Sequence, residues 1–66
     1  MISIRNKEAE DCLFWVTDLF GKIFIEGSIR PNADLQIDLA KLKAGIYRLI
    51  FKTEHTSFIQ EVVKYG

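Results

Sequence analysis

The chain has 66 residues, of which 48% are hydrophobic and 27% charged, and nine lysine and arginine residues balance nine aspartate and glutamate residues. This length and composition indicate one globular domain, or part of one, and exclude a disordered segment. The net charge of zero argues against general nucleic-acid binding, because neutralising phosphates requires a basic excess.

The N-terminal part of the chain predicts two strands. Ile2–Arg5 alternates apolar and polar residues, as a short half-buried strand does. Residues 6–11 are polar and acidic, so we expect a loop. Cys12–Thr17 is a continuous apolar run, which favours a central strand covered on both faces.

A turn and a third strand follow. Asp18 and Gly21 bracket a four-residue group typical of a β-turn, with Gly21 free to adopt a positive φ. Residues 22–26 return to a strand pattern, so residues 12–26 predict a hairpin.

The middle of the chain predicts a long connection and a fourth strand. Residues 27–33 contain the single proline, and the Pro31-Asn32 pair predicts a turn there. Residues 35–40 alternate as a strand does, and residues 41–44 predict a short bend.

The last twenty-one residues predict two more strands joined by a loop. Residues 46–52 have the strongest alternation in the chain, and residues 53–57 predict a polar hairpin loop. Residues 58–65 predict the last strand, in which the Val62-Val63 pair indicates a bulge or a strand covered on both faces.

Six short strands without a helical apolar period predict an all-β fold, an immunoglobulin-like antiparallel β-sandwich of about six or seven short strands in a single domain. Two sheets are favoured over one, because a lone sheet would expose too many large apolar side chains. The expected core contains one of Leu13 and Phe14, one of Trp15 and Val16, and Leu39, Leu42, Tyr47, Leu49 and Phe51.

Few residues are suited to catalysis or metal binding. Ser57 and His55 share one predicted loop, where a solvated turn is a better interpretation than a nucleophile and its base. Glu8, Glu10 and Asp11 lack the ordered spacing of a calcium motif, so a solvated loop is favoured there. One cysteine and one histidine exclude an internal disulfide and a structural zinc site with the usual nitrogen and sulfur ligands. We therefore predict no enzyme, no cofactor and no metal site.

Two membrane-related features are missing from the sequence. No apolar run approaches the roughly 18 residues that a membrane helix needs, so we expect no stable membrane insertion. The residues after Met1 alternate like a strand and have none of the features of a signal peptide.

One segment has a specific pattern: Asp38–Tyr47 has the form D-L-x-x-L-x-x-G-x-Y. Leu39 and Leu42 are three residues apart, so a tight bend would turn both inward, and Gly45 would supply the unusual backbone angle that ends the bend. Tyr47 would then enter the next strand with its hydroxyl near an upstream carbonyl, as in the tyrosine corner of immunoglobulin-like sandwiches. The pattern predicts a crossover between two sheets.

Together these patterns resemble the type A C-terminal sorting domain of the type IX (Por) secretion system of Bacteroidota. Such domains carry a D-x-x-G-K turn, an I-D-L-x-x-L-x-x-G-I-Y segment and a last strand ending in lysine close to the chain terminus. This chain has them in the same order and at the same spacing. The residues that carry the match are Asp18, Gly21, Lys22, Asp38, Leu39, Leu42, Gly45, Tyr47 and Lys64.

The chain departs from the family at its start. Family members usually have a Y-P-N-P segment before the first strand, whereas this chain begins about where that segment would have just ended. We expect either the C-terminal domain, or part of it, of a longer secreted protein, or a stand-alone product that lacks the first strand. A missing strand would leave a sheet edge open, so we expect a homodimer through residues 2–5 or 58–65.

The resemblance implies that the domain is a sorting signal without catalytic activity of its own. Such domains lie at the C-terminus of proteins that are exported first to the periplasm. The outer-membrane translocon recognises them there. A surface sortase then typically removes the domain and attaches the cargo to a lipopolysaccharide. The implied location is therefore secreted or on the cell surface. By analogy, the recognition surface would include Gly45, Tyr47 and the 58–66 strand with Lys64.

The alternative is a generic immunoglobulin-like or fibronectin-like interaction module of a secreted or surface protein. The L-x-x-G-x-Y corner does not separate the two, because both kinds of sandwich use it. The terminal position of Lys64 and the lack of an exposed aromatic row on a predicted solvent face favour sorting.

Overall fold

The computed structural model describes residues 1–65, and over these residues the chain forms six strands. They are β1 (Ile2–Arg5), β2 (Cys12–Thr17), β3 (Ile23–Ile29), β4 (Asp34–Ile37), β5 (Gly45–Lys52) and β6 (Ser57–Lys64). One sheet has the order β1-β4 and the other the order β3-β2-β5-β6, and every pairing is antiparallel. The predicted all-β architecture of two antiparallel sheets is confirmed. Within residues 1–65, no helix is long and apolar enough to span a membrane.

The core lies between the two sheets. Burial in the structure decides between Leu13 and Phe14 and between Trp15 and Val16, the two alternatives that the sequence left open. In β2, Phe14 and Val16 point inward and are buried, whereas Leu13 is 47% exposed. The prediction that β2 is covered on both faces is therefore wrong: β2 is central within its sheet, but its second face meets solvent. The remaining buried apolar residues are Cys12, Ile29, Ile37, Leu39, Tyr47, Leu49 and Phe51, with Leu42 half-buried against them.

Two strand boundaries differ from the prediction by more than one residue. β3 continues to Ile29, through residues that were predicted to be a connection, and Ile29 is buried opposite Cys12. Gly27 allows this continuation, because a Cβ atom there would lie 2.8 Å from the ring of Phe14. β4 ends at Ile37 rather than at residue 40, since the chain bends immediately afterwards.

The predicted irregularity in the last strand is also wrong. The β5–β6 register is continuous from the Gly45–Lys64 pair to the Lys52–Ser57 pair. Val63 is 47% exposed, so the strand is not covered on both faces either. The register shift lies instead between β2 and β3, at Val16 and Thr17.

The expectation that the large apolar side chains are mostly buried holds only for the inner face. The outer face of the four-stranded sheet carries a row in which Trp15 pairs with Ile50 and Ile50 pairs with Ile59. Ile59 is 63% exposed, and Phe20, in the turn after β2, is 97% exposed. The small second sheet can cover only one side of its partner, so these side chains remain at the surface.

Asn6, in the predicted polar loop, has a structural role that the sequence did not reveal. Its side-chain amide donates to the Ile29 and Glu10 carbonyls at 2.8 and 2.9 Å, and its backbone bonds to Asn32 and Ala33. It is 4% exposed and makes the hydrogen bonds that a buried amide requires. Asn6 thus ties the end of β1 to the end of β3.

Candidate recognition site at the tyrosine corner

The bend between the two sheets is formed by residues 38–44. The Asp38 carboxylate accepts a hydrogen bond from the Ala40 amide at 2.9 Å, and the Leu42 amide donates to the Leu39 carbonyl at 3.0 Å. Leu39 turns into the core and Leu42 packs at its margin. Gly45 ends the bend at a φ of +157°, where side chains are rarely tolerated.

Tyr47 closes the bend. Its hydroxyl donates to the Lys43 carbonyl at 2.6 Å, and the residue is only 6% exposed. The ring packs edge-to-face against Phe24 of β3, with centroids 5.6 Å apart and an interplanar angle of 83°. This geometry is the tyrosine corner predicted from the sequence.

Lys64 reaches the same bend from the end of β6. Its ammonium group donates to the Leu42 carbonyl at 2.8 Å and lies 3.5 Å from the Ala40 carbonyl. In the sheet, Lys64 pairs with Gly45. The last strand is therefore tied to the corner by a charged side chain as well as by the backbone.

The turn between β2 and β3 is organised by Asp18. Its carboxylate accepts from the amides of Phe20 and Lys22 at 2.8 and 2.9 Å, and its own amide donates to the Lys22 carbonyl at 3.1 Å. Gly21 has a φ of +89°, which a side chain would strain. The predicted turn is confirmed, and within it Asp18 binds backbone groups.

The fold brings this turn and the bend to one end of the sandwich. We call residues 18–22, 38–45 and Lys64 the corner end. A surface pocket of about 390 Å³ lies between the turn and the bend. Its lining residues are Asp18, Lys22, Phe24, Lys41, Leu42, Lys43 and Tyr47.

Phe24 is the residue of the corner end that sequence reasoning did not single out. Its ring lies between Tyr47 and Lys22, whose ammonium group is 5.3 Å from the ring centroid. It links the two halves of the corner end, which are about twenty residues apart in the sequence. No local pattern indicates this contact, because it depends on how β3 lies against β5 across β2.

The opposite end carries the groups that were considered for catalysis or metal binding. We call residues 6–11 and 53–56 the loop end. His55 lies 3.1 Å from the Glu10 carboxylate, and this hydrogen bond, opposed by partial burial, holds the pKa of Glu10 below its usual range. Burial raises the pKa of the Cys12 thiol, which disfavours the reactive thiolate.

Comparison with known proteins identifies the family. The sequence model of the family described as the secretion system C-terminal sorting domain matches residues 1–65. The chain belongs to this family. No curated protein and no solved structure matches the chain.

The resemblance seen in the sequence is thus confirmed over the whole described chain. Sorting domains of this family are C-terminal signals for type IX secretion, and they mark proteins for the cell surface or the extracellular space. The nine residues that carry the motif all lie in or next to the corner end. Their contacts are mostly with backbone groups and core side chains. The requirements of folding alone therefore explain the spacing of these residues in the sequence.

Proposed function

We propose that this chain is the non-catalytic C-terminal domain of a longer exported protein, and that the secretion machinery of the outer membrane recognises it through the corner end. The observation that carries this proposal is the 2.8 Å hydrogen bond from the Lys64 ammonium group to the Leu42 carbonyl. It joins the end of the last strand to the corner, and Phe24, between Tyr47 and Lys22, links the corner to the 18–22 turn, so that three family motifs distant in sequence lie together at one end of the sandwich.

The charge of the corner end supports an acidic partner surface. Lys22, Lys41 and Lys43 line the pocket and are exposed, with Asp18 as the carboxylate among them. Asp18 is already engaged by backbone amides of its own turn. The lysine ammonium groups therefore make the electrostatic potential at this surface positive. A positive potential favours encounter with a partner surface that carries acidic side chains.

A later step rests on the family resemblance. We propose that a surface sortase acts on the exported protein after the translocon has bound the domain. In this step the domain is the part that is recognised and removed, so the reaction requires no reacting side chain from it.

The first test is export. Fused behind a signal peptide and a reporter in a host with a type IX system, residues 1–66 should carry the reporter to the cell surface or the medium. Deletion of residues 58–66 should leave it in the periplasm. If residues 1–66, with or without an added upstream strand, never export the reporter, the proposal is wrong.

The second test separates recognition from folding, because deletion of β6 also destroys the sheet. The double variant Lys41→Glu and Lys43→Glu changes exposed charges of the bend and leaves its hydrogen bonds in place. We expect export to fall roughly tenfold with an unchanged melting temperature, since each lost tenfold corresponds to about 1.4 kcal/mol of binding. Lys52→Glu, an exposed lysine near the loop end, is the matched control and should export normally. Equal export by all three proteins would contradict recognition through the corner end.

A second candidate is the interaction module, and the outer face of the four-stranded sheet favours it. Trp15, Ile50 and Ile59 form an apolar row there, flanked by exposed Leu13 and Val63. Exposed apolar patches commonly mark protein interfaces. Failure of residues 1–66 to export the reporter, with or without an added upstream strand, would favour this module, whose binding to a partner Ile59→Lys should then weaken.

A further inference from the structure

The loop end brings together three side chains of metal-binding type. Glu10 precedes β2, whereas Glu54 and His55 lie in the loop between β5 and β6. One ligand atom from each of the three residues lies within 4.8 Å of the others. Two segments about 45 residues apart in the sequence thus place two carboxylates and an imidazole at one point.

The geometry of the closest pair suits a small divalent ion. Two ligand atoms about 2.0–2.1 Å from a tetrahedral zinc ion lie about 3.3 Å from each other. His55 Nδ1 and Glu10 Oε1 are 3.1 Å apart, so their separation is close to that of two zinc ligands, and rotation of the exposed imidazole ring would turn both atoms toward one ion. The Glu54 side chain is exposed and can rotate to complete the set.

The surroundings hold two of the three ligands in place. The Thr53 hydroxyl accepts from the backbone amides of His55 and Thr56 at 3.3 and 3.0 Å, which fixes the loop that carries His55. The Glu10 carbonyl accepts from the buried Asn6 amide, which fixes the backbone of Glu10. The side chain of Glu10 is only 30% exposed, so few rotamers remain to be ordered on binding.

The donor set selects the class of ion. Calcium and magnesium prefer oxygen ligands alone, whereas imidazole favours zinc and neighbouring transition ions. The zinc sites excluded by counting cysteine and histidine were those with the usual nitrogen and sulfur ligands, and carboxylate oxygens also ligate zinc, as in catalytic sites with two histidines and one glutamate.

We propose that Glu10, Glu54 and His55 form a site for a zinc-class divalent ion, with water as the remaining ligand. The ion clips the 6–11 loop to the 53–56 loop at the end of the sandwich opposite the corner. Because the two loops are far apart in the unfolded chain, the bound ion stabilises the folded state selectively.

The test uses the full chain and zinc itself. His55 is the only histidine, so the imidazole nitrogen signals in an NMR spectrum report on this site alone. We expect these signals to shift saturably at one equivalent of zinc, with a Kd below about 100 μM. At ten times the Kd, the ratio of folded to unfolded chain should rise about elevenfold, seen as a higher melting temperature. Calcium or magnesium at the same concentrations should cause neither change.

Matched variants locate the ligands. Glu10→Gln should weaken zinc binding at least tenfold in the imidazole titration, whereas Glu61→Gln, an exposed carboxylate on β6, should bind as the original chain does. His55→Gln has no imidazole to observe, so its weaker binding is measured by the loss of the zinc-dependent rise in melting temperature. Measurement in a Cys12→Ser background removes the buried thiol as a ligand of the unfolded chain. Unshifted imidazole signals at millimolar zinc, or equal affinity in Glu10→Gln and Glu61→Gln, would overturn the proposal.

Discussion

Single residues hold the corner by binding backbone carbonyls that the bend would otherwise leave unpaired. Tyr47 donates to the Lys43 carbonyl and Lys64 to the Leu42 carbonyl. Both hydrogen bonds are partly buried, so these side chains take the place of water as partners of the two carbonyls. The same two side chains join the corner to β5 and β6, so the bend and the last two strands form one unit.

Two substitutions of Tyr47 should separate the contributions of ring packing and of the hydroxyl hydrogen bond to the free energy of unfolding. Tyr47→Ala removes a buried ring, and we expect a loss of about 3–5 kcal/mol in the free energy of unfolding. Tyr47→Phe keeps the ring and its contact with Phe24 but loses the hydroxyl, so the expected loss is about 1 kcal/mol. Urea unfolding followed by the fluorescence of Trp15 measures both. An unchanged unfolding curve for Tyr47→Ala would show that the corner does not stabilise the fold.

Among the elements, the strands that alternate clearly could be predicted and the others could not. The alternation in residues 46–52 showed which face of β5 is buried, and the structure confirms burial of Tyr47, Leu49 and Phe51. The continuous apolar run of β2 has no alternation, so the choice of Phe14 over Leu13 required the partner strands. The bonds of the corner were predictable where both partners lie in one motif, as for Tyr47, but not for Lys64, whose partners lie 22 and 24 residues upstream.

The extension of β3 was not predicted, because the glycine and serine within it are residue types that are common in loops. Gly27 lies in the strand opposite Phe14, and the ring occupies the space that a Cβ atom would need. Close approach of a side chain is one of the few reasons for glycine inside a strand. The glycine at position 27 therefore reflects packing against Phe14 across the hairpin, and the local sequence does not reveal this contact.

Gly27→Ala tests this contact. A Cβ atom would lie 2.8 Å from Cε1 and 3.0 Å from Cζ of Phe14, and that ring is buried and cannot swing away. We expect a loss of about 1–3 kcal/mol, the usual cost of overpacking. Ser28→Ala, on the exposed side of the same strand, is the control and should change the free energy by less than about 0.5 kcal/mol. Equal stability of the two variants in thermal unfolding would mean that Phe14 has room to move.

The whole molecule is an open sandwich with unequal sheets. Within residues 1–65, β6 pairs only with β5, and β3, at the other edge of the same sheet, pairs only with β2. β6 is eight residues long, regular in register, and carries exposed Phe58, Ile59 and Val63. β3 is protected by its register shift. Of the two edges, β6 is the better template for another strand.

We therefore expect the isolated chain to form a symmetric dimer by antiparallel pairing of β6 with β6 of a second copy. Zero net charge at neutral pH offers little repulsion against this association, and the two four-stranded sheets would join into one. A lysine on an edge strand hinders such pairing, so Ile59→Lys should shift sedimentation from dimer to monomer. Ile23→Lys places the same charge on an isoleucine of β3 that is also more than half exposed, and this variant should remain dimeric. A strict monomer of the original chain at high concentration would contradict the dimer. A dimer that survives Ile59→Lys and is broken by Ser3→Pro would instead place the contact at β1, which pairs only with β4 among the described residues and so also has a free edge.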